Sequence, residues 1–104
     1  MKKIYRIPQM SKKQVSKNAE LRRIKQAHEK ECVICGNYGD DLAHLLPKST
    51  FPEYYTLEAN LVIMCRTCHN LYDNDVEFRK RRLKLFKQVF GFDQKAAIRY
   101  FEMI

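Results

Sequence analysis

The sequence predicts a small α+β fold in a single domain, residues 1–104. The chain has 104 residues, which is enough for one compact core but not for a second. Its four cysteines form two pairs of identical spacing, and short apolar runs typical of buried strands lie between the pairs. Stretches rich in Lys and Arg, with apolar residues at helical spacing, lie on both sides of this centre.

The cysteine spacing indicates a structural zinc site. The pairs are "CVIC", with Cys32 and Cys35, and "CRTC", with Cys65 and Cys68. Each C-x-x-C turn can direct two thiolates at one point, and four thiolates complete the tetrahedron that structural zinc prefers. A redox pair would need only one such motif, and a disulfide framework would need an export signal.

The basic residues are concentrated towards the two ends of the chain. Residues 1–30 carry ten Lys or Arg against two Glu, a net charge of +8, whereas residues 31–78 have a net charge of −6 and residues 79–104 one of +6. Basic arms favour a polyanionic partner, most commonly nucleic acid, although two solvated helix faces would give the same composition. The basic N-terminus is followed by no apolar run typical of an export signal or a membrane span, so we expect a soluble, cytoplasmic protein.

The first flanking segment, residues 1–30, predicts a basic arm and helix. Ser11 and Gln14 have the spacing of a capping box, which starts a helix that we expect to run to about Lys30. An extended lead-in is expected before it. Four apolar residues recur at mostly helical spacing and should pack on the domain: Val15, Ala19, Ile24 and Ala27.

The central segment, residues 31–74, predicts strand, loop, strand and helix in that order. A short strand should pass through Leu42 and His44 and end before Pro47. The stretch "PKSTFPEYYTLEA" indicates a loop with one turn of structure, and "NLVIM" indicates a buried strand that leads into the second cysteine pair. A helix should begin near Thr67.

The last segment, residues 75–104, predicts two basic helices. Asp75 should cap a helix that runs to Phe90, Gly91 should end it, and Asp93 should cap the final helix. The apolar residues of the first helix should lie on one face, and three apolar residues of the second should be buried. The first set is Val76, Leu83, Phe86 and Phe90, and the second is Ala97, Ile98 and Phe101. The basic side chains expected to contact phosphate are Arg22, Arg23, Lys48, Arg79 and Arg82.

Two stretches together resemble the HNH nuclease family: "LAHLLPKS", which lies between the cysteine pairs, and "EANLVIMCRTCHNLYD", which contains the second pair. The resemblance covers Cys32 to about Asp73. It includes the proline after the first histidine, the Asn-Leu that opens the second strand and the C-x-x-C-H motif. It implies a ββα-metal (HNH, or His-Me) finger stapled by a four-cysteine zinc site. It also implies hydrolysis of DNA phosphodiester bonds with a second, catalytic cation such as Mg or Mn.

The resemblance implies a role for each polar residue of the motif. His44 matches the general base, which takes a proton from water, and an imidazole suits this role because it titrates near neutral pH. Asn60 matches the residue that braces the loop and the base, and His69 matches the helix ligand of the catalytic cation. Asp73 follows His69 by one helical turn, so both side chains can point at one ion.

The residue before His44 departs from the family pattern. Most members place an Asp or His ligand of the catalytic cation there, whereas this chain has Ala43. Three alternatives stay open. Asp41, on the same face of the strand as Ala43, reaches the cation directly or through water; or His69 and Asp73 suffice with water in the remaining positions; or the site is inactive and only binds DNA.

The sequence therefore predicts a metal-dependent DNA endonuclease of low sequence specificity. Small members of the family often belong to phages or mobile elements, which suggests a role of that kind. The alternative is a non-catalytic zinc-binding module that binds nucleic acid through a degenerate HNH site. No coiled-coil seam or apolar patch identifies a dimer interface, so the oligomeric state stays open.

Overall fold

The computed structural model of the chain describes residues 12–103, in which two strands and five helices form a small α+β fold. The extended lead-in and the capping box predicted at Ser11 and Gln14 lie outside the residues and side chains that it describes. Within residues 12–103, no helix is long and apolar enough to cross a membrane.

The centre of the fold is an antiparallel pair of short strands followed by a helix. Strand β1 is Asp41–His44 and strand β2 is Leu61–Met64, with His44 opposite Leu61 in the register. Every residue of β2 is buried, as its apolar sequence predicts. Helix α2, Arg66–Asn74, begins two residues after β2 ends and lies against β1. The strand-loop-strand-helix order predicted from the sequence is therefore confirmed.

The loop between the strands contains two turns of 3-10 helix rather than the single turn predicted. They are Pro52–Tyr54 and Glu58–Asn60. Proline at the start of the first turn has the backbone angle that such a turn needs. The two turns bring the loop back beside the end of β1, where Leu45 donates its N–H to the carbonyl of Asn60 at 2.8 Å.

Helix α1, Lys12–Ala27, packs less closely than its apolar spacing predicts. Ile24 is buried, but Val15 is 52% exposed and both Ala19 and Ala27 are also exposed. The helix ends three residues before the predicted boundary at Lys30. Alanines bury too little apolar area to hold a helix face against the domain, and among the described side chains of this helix, those of residues 15–27, only Ile24 is buried.

The helix predicted from Asp75 to Phe90 is two helices, α3 at Val76–Lys80 and α4 at Leu83–Phe90. Arg82, with φ of −89° and ψ of 69°, breaks the helix between them. The break turns α4 so that Leu85 and Val89 enter the core, whereas Leu83 stays 53% exposed. The apolar face predicted on one helix is therefore divided between α3 and α4, and Leu83 and Phe90 on it are exposed.

The caps of the C-terminal helices agree with the sequence. The Asp75 side chain accepts the N–H groups of Glu77 and Phe78, and Asp93 accepts that of Ala96 at the start of α5, Gln94–Phe101. Gly91 is the C-cap residue of α4. In α5, Ala97 and Phe101 are buried as predicted, but Ile98 is 41% exposed, so that part of the prediction is wrong.

Arg79 lies inside the protein, with 6% of its surface exposed. Its guanidinium donates to the carbonyls of Tyr72 at 3.0 Å, Asp73 at 3.0 Å and Tyr100 at 3.2 Å, and it lies over the rings of both tyrosines. The prediction that Arg79 contacts phosphate is wrong, because this buried side chain joins the end of α2 to α5.

Candidate functional site

The four cysteines lie together, where they could hold a zinc ion. The Sγ atoms of Cys32, Cys35, Cys65 and Cys68 all lie within 4.8 Å of one another. Cys32 and Cys68 are buried, whereas Cys35 is exposed, so the cluster lies at the edge of the core. A compact set of four thiols is the donor set that structural zinc prefers.

Each cysteine pair is a turn whose backbone N–H groups point at sulfur. Cys32 Sγ accepts from the N–H groups of Ile34 and Cys35, and Cys65 Sγ accepts from that of Cys68. Burial alone would raise the pKa of the Cys32 thiol, but hydrogen bonds from the backbones of Cys35, Cys65 and Ile34 outweigh burial and lower its pKa to about 6. The first turn therefore favours the thiolate, which is the form that binds zinc.

Two glycines allow the two turns to approach each other. Gly36 ends the first turn with a φ of 80°, which side-chain-bearing residues rarely adopt. A Cβ atom at Gly39 would lie 2.8 Å from the backbone nitrogen of Cys65, so only glycine fits there. Val33 also donates its N–H to the carbonyl of Ile63 at 2.9 Å, which fixes the first turn on β2.

His44 is the last residue of β1, lies near α2 and is half-buried. Its Nε2 lies 3.0 Å from the carbonyl oxygen of Tyr55, and its ring stacks on the Tyr55 ring with centroids 4.9 Å apart. Burial lowers the pKa of His44 below its usual value of about 6.5. The imidazole is therefore neutral near pH 7. Because a carbonyl only accepts, Nε2 carries the proton and Nδ1 keeps a free lone pair.

Asn60 is completely buried and joins both sides of the interstrand loop. Its Oδ1 accepts from the N–H of Leu46 at 2.8 Å, and its Nδ2 donates to the carbonyls of Leu46 at 3.2 Å and Tyr54 at 3.1 Å. The residue thus holds the chain on either side of His44's contact with Tyr55. This is the bracing geometry that the resemblance implies for Asn60.

We expect Asn60→Ala to lower the free energy of unfolding by about 2–4 kcal/mol, because it leaves buried backbone groups of the loop without partners. The matched control is Asn74→Ala, whose exposed amide makes a single bond to the Asn70 carbonyl and should cost less than about 0.5 kcal/mol. Urea unfolding of the zinc-loaded variants measures both. Equal losses in the two variants would contradict the bracing role.

The His69 ring lies between two carboxylates. Its Nδ1 is 3.0 Å from Asp41 Oδ2 and its Nε2 is 3.3 Å from Asp73 Oδ2. Asp41 is also held by Arg66, whose Nε is 2.9 Å from Oδ2 and whose Nη2 is 3.2 Å from Oδ1. The hydrogen bond from His69, with help from Arg66, keeps the pKa of Asp41 below its usual range.

A cavity of about 440 Å³ is shared by the predicted base and two of the three predicted cation ligands. His44 from β1 and both His69 and Asp73 from α2 line it, together with Pro47, Lys48 and Tyr100. The i, i+4 spacing on α2 places His69 and Asp73 side by side, as the sequence predicts. Asp41 is outside this lining.

The three residues predicted to hold the catalytic cation do not converge on a single point. Asp41 and Asp73 contact opposite nitrogens of the His69 ring, so one ion cannot take His69 Nε2 and both carboxylates in this arrangement. Among the described residues, only the cysteines form a close group of three or more metal donors. Ala43 is fully buried in the core and leaves β1 without a side chain that reaches the cavity from that position.

The other basic residues predicted to contact phosphate have mixed surroundings. Lys48 lies at the cavity with its ammonium 4.5 Å from the centre of the Tyr55 ring. Arg22 is exposed, and Arg23 pairs with Glu20 on the same helix. Arg82 donates to the carbonyl of Phe78 at 3.2 Å and packs on its ring.

Two residues at the site were not predicted from the sequence. Tyr55 supplies the carbonyl and the ring that hold His44, but a tyrosine in an irregular loop gives no pattern that could have identified it. Arg66 precedes His69 by three residues, so its position on the same face of α2 could have been inferred from helical spacing.

Comparison with models of known protein families, with curated proteins and with solved structures finds no match to this chain.

Proposed function

We propose that this protein is a metal-dependent endonuclease of the HNH type, which hydrolyses DNA phosphodiester bonds with low sequence specificity. The observation that carries the proposal is the shared cavity of His44, His69 and Asp73 at the junction of β1 and α2. A neutral imidazole facing an imidazole and a carboxylate supplies both a proton acceptor and cation ligands.

His44 is the general base in this proposal. Its Nε2–H is held by the Tyr55 carbonyl, so the free lone pair on Nδ1 accepts a proton from the attacking water. Its lowered pKa keeps it ready to accept that proton near neutral pH. Stacking on Tyr55 fixes the ring plane, so the base does not have to be ordered at the moment of reaction.

The side chains of His69 and Asp73 are the ligands for the catalytic cation. One nitrogen and one carboxylate oxygen, with room for water and phosphate oxygens in the cavity, suit Mg or Mn, which commonly keep several waters. Such a cation, when bound, would stabilise the charge that develops on the leaving oxygen. The cysteine-bound zinc would be structural and would hold the ends of β1 and α2 in position.

Basic side chains beside the cavity support a DNA substrate. Lys48 lies at its rim, and Lys17 of α1 has its ammonium 5.9 Å from the centre of the Tyr55 ring, so two separate segments bring positive charge next to His44. Phosphate contacts of this kind position the backbone without reading bases. Low sequence specificity follows.

Plasmid nicking with Mg, Mn or Ni tests the proposal. We expect His44→Ala to slow nicking at least about 100-fold, the usual contribution of a positioned general base. The matched control is His28→Ala, because the His28 side chain bonds the Ile24 carbonyl of α1 and is not among the residues that line the cavity, so the rate should stay unchanged. If no ion supports cleavage above the His44→Ala level, the nuclease proposal fails.

One observation favours a second function, a zinc-binding module that binds nucleic acid without cutting it. Buried Ala43 gives the cavity no ligand at the position where most HNH nucleases have one. This alternative predicts DNA binding that is equal in the wild type and in His44→Ala, with no cleavage by either. The same plasmid assay, run beside a gel-shift measurement, separates the two functions.

A further inference from the structure

A continuous chain of contacts leads from Arg66 through Asp41 to His69. The Arg66 guanidinium holds both oxygens of the Asp41 carboxylate, at 2.9 Å from Nε to Oδ2 and 3.2 Å from Nη2 to Oδ1. The same carboxylate lies 3.0 Å from Nδ1 of His69. Asp41 is 18% exposed and His69 is 25% exposed, so this contact is partly shielded from water.

The contact fixes which nitrogen of His69 faces the cavity. A carboxylate only accepts hydrogen bonds, so Asp41 requires the proton on Nδ1. With its one proton on Nδ1, the ring presents a lone pair at Nε2 on the side where Asp73 Oδ2 lies 3.3 Å away. A lone pair next to a carboxylate oxygen repels it unless a proton or a cation lies between them. A cation held by Nε2 and Asp73 would remove this repulsion.

We propose that Asp41 is a positioning residue that orients His69 for the cation and is not itself a ligand of that cation. This inference rests on the proposed function and names a further residue of the same site. Ligand histidines commonly donate their second ring N–H to a carboxylate, which fixes the ring and makes the ligand nitrogen more basic. Asp41 contacts the nitrogen on the far side of the ring from Asp73 and stands outside the cavity that Asp73 lines.

The role accounts for how this chain manages without a ligand at Ala43. Asp41 and Ala43 lie on the same face of β1, two residues apart, and both face α2. Ala43 fills the core there, while Asp41, nearer the beginning of the strand, reaches the exposed part of α2 at His69. The strand therefore contributes to the cation site through His69 instead of through a ligand of its own.

Manganese binding to the zinc-loaded protein, measured by water-proton relaxation, tests the role without relying on cleavage. We expect Asp41→Ala to weaken Mn binding about 10–100-fold, and Asp41→Asn, whose side-chain oxygen still accepts from Nδ1, to stay within about threefold of the wild type. The matched control is Asp40→Ala. The neighbouring Asp40 pairs with Lys25 and Lys30, does not contact His69, and should not affect affinity.

Equal weakening by Asp41→Asn and Asp41→Ala would overturn the proposal, because it would mean that the carboxylate itself binds the ion. An Mn affinity that is unchanged in Asp41→Ala would overturn it too. So would Mn binding that His69→Ala does not affect. The nicking data are independent of these results. Mn binding with the predicted pattern but without cleavage would contradict the proposed nuclease function and leave the role of Asp41 unaffected.

The ring proton of His69 gives a second readout that a purely structural role would not change. Nitrogen NMR shifts of the neutral ring, recorded at about pH 8.5, should report the proton on Nδ1 in the wild type and in Asp41→Asn. A mixture of the two tautomers is expected in Asp41→Ala. A wild-type proton on Nε2 would contradict the proposal.

Discussion

Removal of zinc is expected to unfold the centre of the domain, with loss of the cooperative thermal transition. Structural zinc bound by four thiolates contributes about 10–16 kcal/mol in small zinc-binding peptides, which exceeds the net stability of most small domains, about 5–15 kcal/mol. The cysteine turns lie at the two ends of the segment that carries His44, and His69 directly follows the second turn. We therefore expect the small core to be unable to keep the domain folded without the ion.

The variant Cys65→Ser should have nearly the same effect as removing zinc, since Cys65 has two tasks. Its thiolate is one of the four donors, and its sulfur also accepts the Cys68 N–H as the N-terminal cap of α2. Serine keeps a capping oxygen but is a poor zinc ligand, so the loss reports mainly on the metal. The matched control is Thr67→Ser, an exposed position in the same turn.

Thermal unfolding followed by circular dichroism, with zinc measured in the same samples, checks this prediction. The wild type and Thr67→Ser should retain one zinc ion and one sharp transition. The chelated wild type and Cys65→Ser should show no sharp transition. A transition that persists at the same temperature after all zinc has been removed would mean that the cysteine cluster does not stabilise the fold.

Much of the fold follows from short-range patterns that a sequence displays directly. Asp75 and Asp93 precede apolar helical runs, and each caps a helix through its own side chain. The run "LVIM" forms a buried strand because nothing in it can face water. The cysteine turns are equally local, and a C-x-x-C spacing brings two thiols together whatever the rest of the chain does.

The features that the sequence did not predict depend on contacts between distant segments. A helical pattern cannot show that Arg82 will interrupt the segment after Asp75, since the interruption serves to bring Leu85 and Val89 into a core shared with α5. Likewise the sequence places Asp41 on the correct face of β1, but which nitrogen of His69 it contacts depends on how α2 crosses the strand. Side-chain direction across a packed pair of elements is a tertiary property.

The burial of Arg79 is the largest departure from the predicted fold, and we expect Arg79→Met to lower the free energy of unfolding by about 3 kcal/mol or more. The guanidinium donates to the carbonyls of Tyr72 and Asp73, which lie in the last turn of α2 and lack helical partners, and to that of Tyr100 in α5. Methionine fills much of the space but leaves these carbonyls without donors, and hydrogen bonds from charged groups contribute about 1.5–3 kcal/mol each.

The matched control is Arg81→Met, an exposed arginine two residues further along, which should change stability by less than about 0.5 kcal/mol. Urea unfolding at saturating zinc measures both variants. If Arg79 instead contacted phosphate at the surface, Arg79→Met would lower the salt dependence of DNA binding and leave the free energy of unfolding unchanged. Since the Arg79 side chain is enclosed between the Tyr72 and Tyr100 rings, folded Arg79→Met should keep the wild-type salt dependence of DNA binding.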